Sequence, residues 1–193
     1  MNTLISRIIR AVKLDSTLFE ELINDPSTQK QTAWVVAIYS MATGFGMFSR
    51  AGATVVNVCL ITTFLTWYIW AFSIYFTGTY LFRGTISQTD RKTIMRVMAF
   101  ASAPGILRLL GVIPQTSSIL FIVTSIWIIA ASVIGIKMAF KIPHTGKVVI
   151  LCAGTWFLTF LAQSLLLVMF ISAFGAVWAT ERFTKVRVPG FEG

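Results

Sequence analysis

The sequence predicts an all-α, polytopic integral membrane protein: a five-transmembrane-helix bundle with an N-terminal interfacial amphipathic helix. Three observations predict it. Only 12% of the 193 residues are charged and 56% are apolar, against about 25% charged in an ordinary soluble domain. So little polar surface fails to cover a globule in water, and the same composition excludes disorder. Uncharged runs of 19, 32, 28 and 33 residues separate Lys30 from Arg50, Arg50 from Arg83, Arg108 from Lys137 and Lys147 from Glu181. A helix needs roughly 20 residues to cross the hydrocarbon, so these runs read as membrane segments, and the mean hydropathy of +0.79 agrees.

Residues 1–30 read as a cytoplasmic amphipathic segment. At about 100° per residue Leu4, Ile5, Ile8, Ile9 and Val12 share one face, and Ser6, Arg7, Arg10 and Lys13 the other. Such a helix either lies among the headgroups or packs against the protein's own spans. Thr17 and Glu20 have capping-box spacing for a second short helix, which Asn24-Asp25-Pro26 ends.

Five spans are expected within 31–180, at 33–48, 55–79, 97–113, 117–136 and 150–176, with 181–193 as a short C-terminal tail. Gly44 and Gly46 allow another backbone close to the first span. The 32-residue run holding the second would be ~48 Å long as a helix, against a core of roughly 30 Å. It therefore tilts, projects beyond the bilayer, or is not helical at its ends. The third is interrupted by Pro104, closed by Pro114, and carries Arg108. That arginine is expected near one end, because a central charge costs at least about 2.5–3.5 kcal/mol. The fifth is again overlong.

Orientation follows from the placement of Lys and Arg. With the N-terminus inside and Arg108 set aside, eleven lie on the inner side and four on the outer. The N-terminus is thus expected in the cytoplasm and the C-terminus opposite. The net charge of +9 belongs to this asymmetry and not to nucleic acid, since no basic stretch is dense enough for an electrostatic stripe.

All seven carboxylates, Asp15, Glu20, Glu21, Asp25, Asp90, Glu181 and Glu192, fall outside the expected spans. Proton relays and ion-coupled transporters need ionisable groups at membrane depth. The one histidine, His144, falls in an expected loop, and no cluster has metal-ligand spacing or the makings of a nucleophilic triad. No catalytic, cofactor-binding or metal residue is therefore predicted, and the protein is expected not to be an enzyme. Cys59 and Cys152 are expected to be buried and unpaired. Arg108 either holds a lipid phosphate or a partner's carboxylate, or snorkels at the interface. Lys137, Lys141, His144 and Lys147 sit in one loop, where contact with anionic lipid contributes about 1 kcal/mol per basic residue and positive-inside orientation explains the same lysines. Gly146-Lys147 lacks the rest of a phosphate loop. Asn57 and Gln163 are candidates for helix-packing hydrogen bonds of under about 2 kcal/mol. Trp67, Tyr68, Trp70 and Tyr75 give the second span an aromatic character, first for anchoring and packing, only distantly for a pigment or quinone.

Tyr75-Phe-Thr-Gly78-Thr-Tyr80-Leu-Phe-Arg83-Gly84 leads into Ala99-Phe-Ala101-Ser-Ala103-Pro104-Gly-Ile-Leu107, and then come Gly135-Ile-Lys137 and Pro143-His144-Thr-Gly146-Lys147. This order resembles the Yip family, named for interaction with Ypt/Rab GTPases, in its short bacterial form, over about residues 30–180. The resemblance implies five spans with a cytoplasmic N-terminus; the eukaryotic members are non-enzymatic scaffolds of vesicle traffic. Those members carry a longer cytosolic N-terminal region and an Asp-Leu-Tyr-Gly-Pro signature. Neither occurs here, which puts a Rab-type GTPase in doubt and points to a bacterial inner (cytoplasmic) membrane. The expected function is a non-enzymatic membrane scaffold or accessory subunit of a larger complex, with other integral membrane proteins and lipids as partners and bound lipid in place of a cofactor. The alternative is a lipid or small-hydrophobe binding or transport protein.

Overall fold

Long apolar segments in hydrocarbon leave backbone N–H groups only their own chain's carbonyls to bond, and a helix supplies these within one segment. Every element of the computed structural model is accordingly helical among the described residues, 3–46, 48–81, 89–113 and 115–185, with side chains described for 3–46, 56–80, 89–113, 115–170 and 172–173. In order these are α1 (Leu4–Val12), α2 (Ser16–Asn24), a short 3-10 turn (Pro26–Thr28), α3 (Gln29–Gly46), α4 (Phe48–Leu81), α5 (Arg91–Ala101), a 3-10 segment (Ala103–Val112), α6 (Ser117–Ala139) and α7 (Thr145–Lys185). Among the described residues four stretches are long and apolar enough to cross a membrane: Val56–Tyr80, Arg91–Val112, Ser117–Ala139 and Thr145–Phe170. The 18-residue α3 is not among them, because Gln29, Lys30, Gln31 and Thr32 open it with polar residues.

The overlong runs resolve as longer helices. α4 is helical over 34 residues, ~51 Å at the α-helical rise, and α7 over 41. Phe48 begins α4, and Lys147 stands in the first turn of α7. At Pro104 the Arg91–Val112 stretch changes helix type. The Ser102 N–H bonds to the Met98 and Ala99 carbonyls at 3.1 Å, and the Gly105 N–H to Ser102 O at 2.9 Å. Pro104 has no N–H to continue the α pattern, and the ten residues Ala103–Val112 wind as a 3-10 helix. Such runs rarely exceed four residues. In a 3-10 helix residues three apart eclipse, and here Ser102, Gly105, Arg108 and Gly111 form one buried row while Leu109, Leu110 and Val112 are exposed.

α1 and α2 pack over α5 and α6, with Leu18, Phe19 and Leu22 fully buried. Asp15, not Thr17, is the N-cap of α2: its Oδ1 accepts from the Thr17 N–H at 2.9 Å. An aspartate before the helix caps better than the threonine inside it. The basic face of α1 turns inward. Glu21 accepts from Arg7 Nη2 and Arg10 Nη1, each at 2.6 Å, Arg10 Nε reaches Asp15 at 2.8 Å, and Arg7 Nη1 reaches Gln31 at 2.8 Å. Ile5 and Ile9, 69% and 49% exposed, point away from the protein while Arg7 and Ala11 are buried. Arg96 of α5 closes the other end of α2, donating to the carbonyls of Leu22 (2.9 Å) and Ile23 (3.3 Å). The last carbonyls of a helix lack intrahelical partners and carry negative partial charge, so one guanidinium locks the N-terminal pair to the bundle.

The Arg10 guanidinium, with the Thr17 hydroxyl, holds the Asp15 carboxyl down at about 2, and the Ser27 hydroxyl and N–H also hold Asp25 below the usual carboxylate range. A carboxylate lowered on folding stabilises the fold fully above its unfolded value, about 3.9, and loses that contribution as pH falls through the folded one. Acidification from pH 5 to 2 is expected to loosen α1 from α2. The check is the Thr17 amide resonance in detergent, which should titrate well below pH 4 in the wild type and not at all in Asp15→Asn.

Candidate functional site

α3, the 3-10 segment and α6 meet at unusually short range, and glycine makes the approach possible. A Cβ on Gly46 would lie 2.2 Å from the Arg108 carbonyl oxygen, and one on Gly105 would lie 2.3 Å from Tyr39 Cε2. The Tyr39 ring therefore lies over Gly105 with its hydroxyl toward Arg108.

Arg108 is 8% exposed. Its Nε donates to Thr124 Oγ1 at 2.9 Å, Nη2 to Ser125 Oγ at 2.8 Å and Nη1 to Tyr39 OH at 3.1 Å. Thr124 and Ser125 point their own hydrogens back at the Leu120 and Phe121 carbonyls, at 2.6 and 2.7 Å, so their lone pairs are free to accept. The guanidinium also lies 4.4 Å from the Phe121 ring centre and 5.6 Å from that of Tyr39, a cation–π arrangement. All these partners are neutral. The ion pairs of the described residues, Arg7 and Arg10 with Asp15, Glu21 and Asp25, lie in the N-terminal helices.

Two adjoining cavities open beside Arg108. A small one of ≈ 40 Å³ reaches Thr66, Trp70 and Trp156. A larger one of ≈ 480 Å³ runs toward Ile122, Ser164 and Leu167. Thr63, Arg108, Phe121, Phe160 and Gln163 line both. Indole hydrogen bonds brace the wall: Trp67 Nε1 donates to Ser102 Oγ at 3.0 Å, where α5 gives way to the 3-10 segment, and Trp70 Nε1 to Thr155 Oγ1 of α7 at 3.3 Å.

The basic residues of the α6–α7 turn stand apart, a dozen positions further along α6. Lys137 and Lys141 line a separate hollow of ≈ 450 Å³ with Ser16, Met138 and Pro143. Lys137 Nζ donates to Thr145 Oγ1 at 2.7 Å, and Lys141 has a left-handed backbone, φ 51°. His144 and Lys147 are exposed. Asn57 is exposed on α4, and Gln163 is half-buried on α7 at the Arg108 cavities. Cys59 and Cys152 are both buried free thiols. Among the described residues no three His, Cys, Asp or Glu side chains converge. The sequence reading picked out Arg108 and Gln163 but missed Tyr39, Thr63, Thr66, Thr124 and Ser125. The paired hydroxyls Thr62-Thr63 and Thr124-Ser125 inside apolar runs were the available signal.

Apolar helices of bilayer length around a core tied by indole and hydroxyl bonds define a multi-pass membrane protein. The chain belongs to the Yip1 domain family, which matches residues 16–167, from the first turn of α2 into α7. No curated protein and no solved structure matches it.

Because the Tyr39 ring fills the space over Gly105, Gly105→Ala must displace it and is expected to cost about 1–3 kcal/mol of overpacking. Tyr39→Phe removes one hydrogen bond and is expected to cost about 1 kcal/mol. Thermal unfolding of the two variants in the same detergent checks this order.

Proposed function

We propose that this protein is a non-enzymatic scaffold or accessory subunit that crosses a bacterial inner membrane five times, N-terminus in the cytoplasm and C-terminus opposite. On this reading α3 is the first crossing and the four more apolar stretches are the rest. The Lys and Arg asymmetry between alternate loops sets the orientation, with Lys137, Lys141 and Lys147 on the cytoplasmic side. Exposed Ile5 and Ile9 enter the headgroup boundary, and α1 is held there from behind by its ion pairs with α2. The partner is another integral membrane protein; a Rab-type GTPase is not part of this reading.

The observation that carries the proposal is the uneven covering of the helices. The most apolar window of Arg91–Val112 is 72% buried, whereas that of Thr145–Phe170 is only 28% buried. α7 thus offers a long apolar face with Leu158, Leu165 and Val168 outward, while the four apolar stretches hold no carboxylate. Such a face suits side-by-side helix association better than chemistry.

Two measurements test it. Reporter fusions at the two chain ends are expected to fall on opposite sides of the membrane; reporters on one side would overturn the topology. Photo-crosslinkers placed at Leu158 and Leu165 in cells are expected to trap one integral membrane protein in constant stoichiometry. Adducts with lipid alone at both positions would overturn the scaffold reading.

A further inference from the structure

We propose that Arg108 is the anchor of a binding groove for an anionic phospholipid, its phosphodiester on the guanidinium and its headgroup in the cavity that leads from there to the start of α6 at Ser117. The proposal is independent of the scaffold reading.

The charge is the first argument. A guanidinium has five N–H donors, and three of Arg108's are taken by hydroxyls. Those acceptors orient the group without neutralising it, and a buried charge lacking a counter-charge costs several kcal/mol. The two remaining N–H groups, one on each terminal nitrogen, form the fork that takes a phosphate through two oxygens.

The second argument is the hydroxyls that have no partner. Along these helices Thr62, Thr124, Ser132, Thr155 and Thr159 each bond a carbonyl one turn back. Thr63 and Thr66, 3% and 7% exposed, do not, and their oxygens are buried without a hydrogen-bond partner. Both line the cavity at Arg108. An unmet buried hydroxyl costs about 1–3 kcal/mol, and a bound acceptor such as phosphate oxygen would meet it.

Depth and shape select a lipid. Thr124 and Ser125 lie seven and eight residues into α6, which starts at Ser117, so the guanidinium sits ~10–12 Å along the helix from its end. A phosphodiester drawn below its neighbours into the bundle reaches this level. The ≈ 480 Å³ cavity runs from Arg108 past Phe121 and Gln163 to Ser117 and Ser118 at that same end of α6, with Thr43 and Ser164 along it, which gives a hydroxyl-bearing headgroup its place and leaves the acyl chains to the bilayer. A second, cationic headgroup charge would repel Arg108, which favours an anionic lipid over a zwitterionic one.

The test uses the full chain in neutral detergent, with thermal unfolding read against phosphatidylglycerol, phosphatidylcholine and inorganic phosphate. Phosphatidylglycerol is expected to raise Tm saturably and phosphatidylcholine to do so far less. Arg108→Met is expected to weaken phosphatidylglycerol binding roughly tenfold or more without lowering its own Tm, since an unneutralised charge leaves the interior. Equal shifts from the two lipids, or an undiminished shift in Arg108→Met, would overturn the proposal; an equal shift from inorganic phosphate would make this a soluble-anion site instead. Should Arg108→Met not fold, wild-type protein with phosphatidylglycerol carrying a photoreactive headgroup decides. Labelling of peptides containing Ile122 and Leu167 supports the groove, and labelling confined to other peptides overturns it.

Discussion

The switch from α to 3-10 winding at Ser102–Pro104 sets the facing of the residues around Arg108. An α-helix advances about 100° per residue and a 3-10 helix about 120°. Over the five residues from Ala103 to Arg108 the two differ by about 100°, enough to carry a side chain from the lipid face to the interior. Continued as an α-helix, this stretch would swing Arg108 about 100° away from its present direction toward Thr124 and Ser125. Wound as it is, the row Ser102, Gly105, Arg108, Gly111 turns inward. Gly46 and Gly105 then admit α3 at backbone distance, while Trp67 bonds the Ser102 hydroxyl at the switch itself. Missing N–H, small residues and one indole together maintain an otherwise uncommon conformation.

Much of this architecture is legible in composition, because hydrocarbon imposes a single solution on long uncharged segments. The four most apolar stretches and the family follow from residue order with little ambiguity. Local facing does not, wherever tertiary contacts choose between nearly equal options. Periodicity puts Arg7 and Arg10 on the face opposite the apolar one without saying what that face meets, and Glu21 on α2 draws both inward. Capping-box spacing selected Thr17, but Asp15 stands two residues earlier with a better acceptor. Arg108 was visible as a charge near a span end, yet its direction depends on a helix type that no amphipathic pattern at 100° per residue reveals. The hydroxyls around it were hidden for another reason. Ser and Thr are common in membrane helices and usually bond their own backbone, so only coordinates separate Thr63 from Thr62.

The basic residues also divide in a way that a charge count obscures. A count gives every Lys and Arg equal weight, but Arg7, Arg10 and Arg96 are engaged by carboxylates or helix-end carbonyls. The positive surface potential therefore falls to residues such as Lys13, Lys30, Arg91, Lys92 and the lysines of the α6–α7 turn, which remain at least partly exposed.

Three buried arginines thus show three different solutions to one problem. Arg7 meets formal negative charge on Glu21 and Asp25. Arg96 meets the negative end of α2, where unpaired carbonyls and the helix dipole act as a partial counter-charge. Arg108 meets only neutral hydroxyls and ring faces. The first two solutions are complete within the chain and fix the N-terminal helices to the bundle. The third fixes the direction of a guanidinium while leaving its charge unmatched, beside a cavity and two unbonded hydroxyls. Structural stability alone would be served as well by methionine at that position, since replacing buried ions with apolar side chains is often neutral or favourable. The arrangement makes physical sense when the missing negative charge comes from the bilayer.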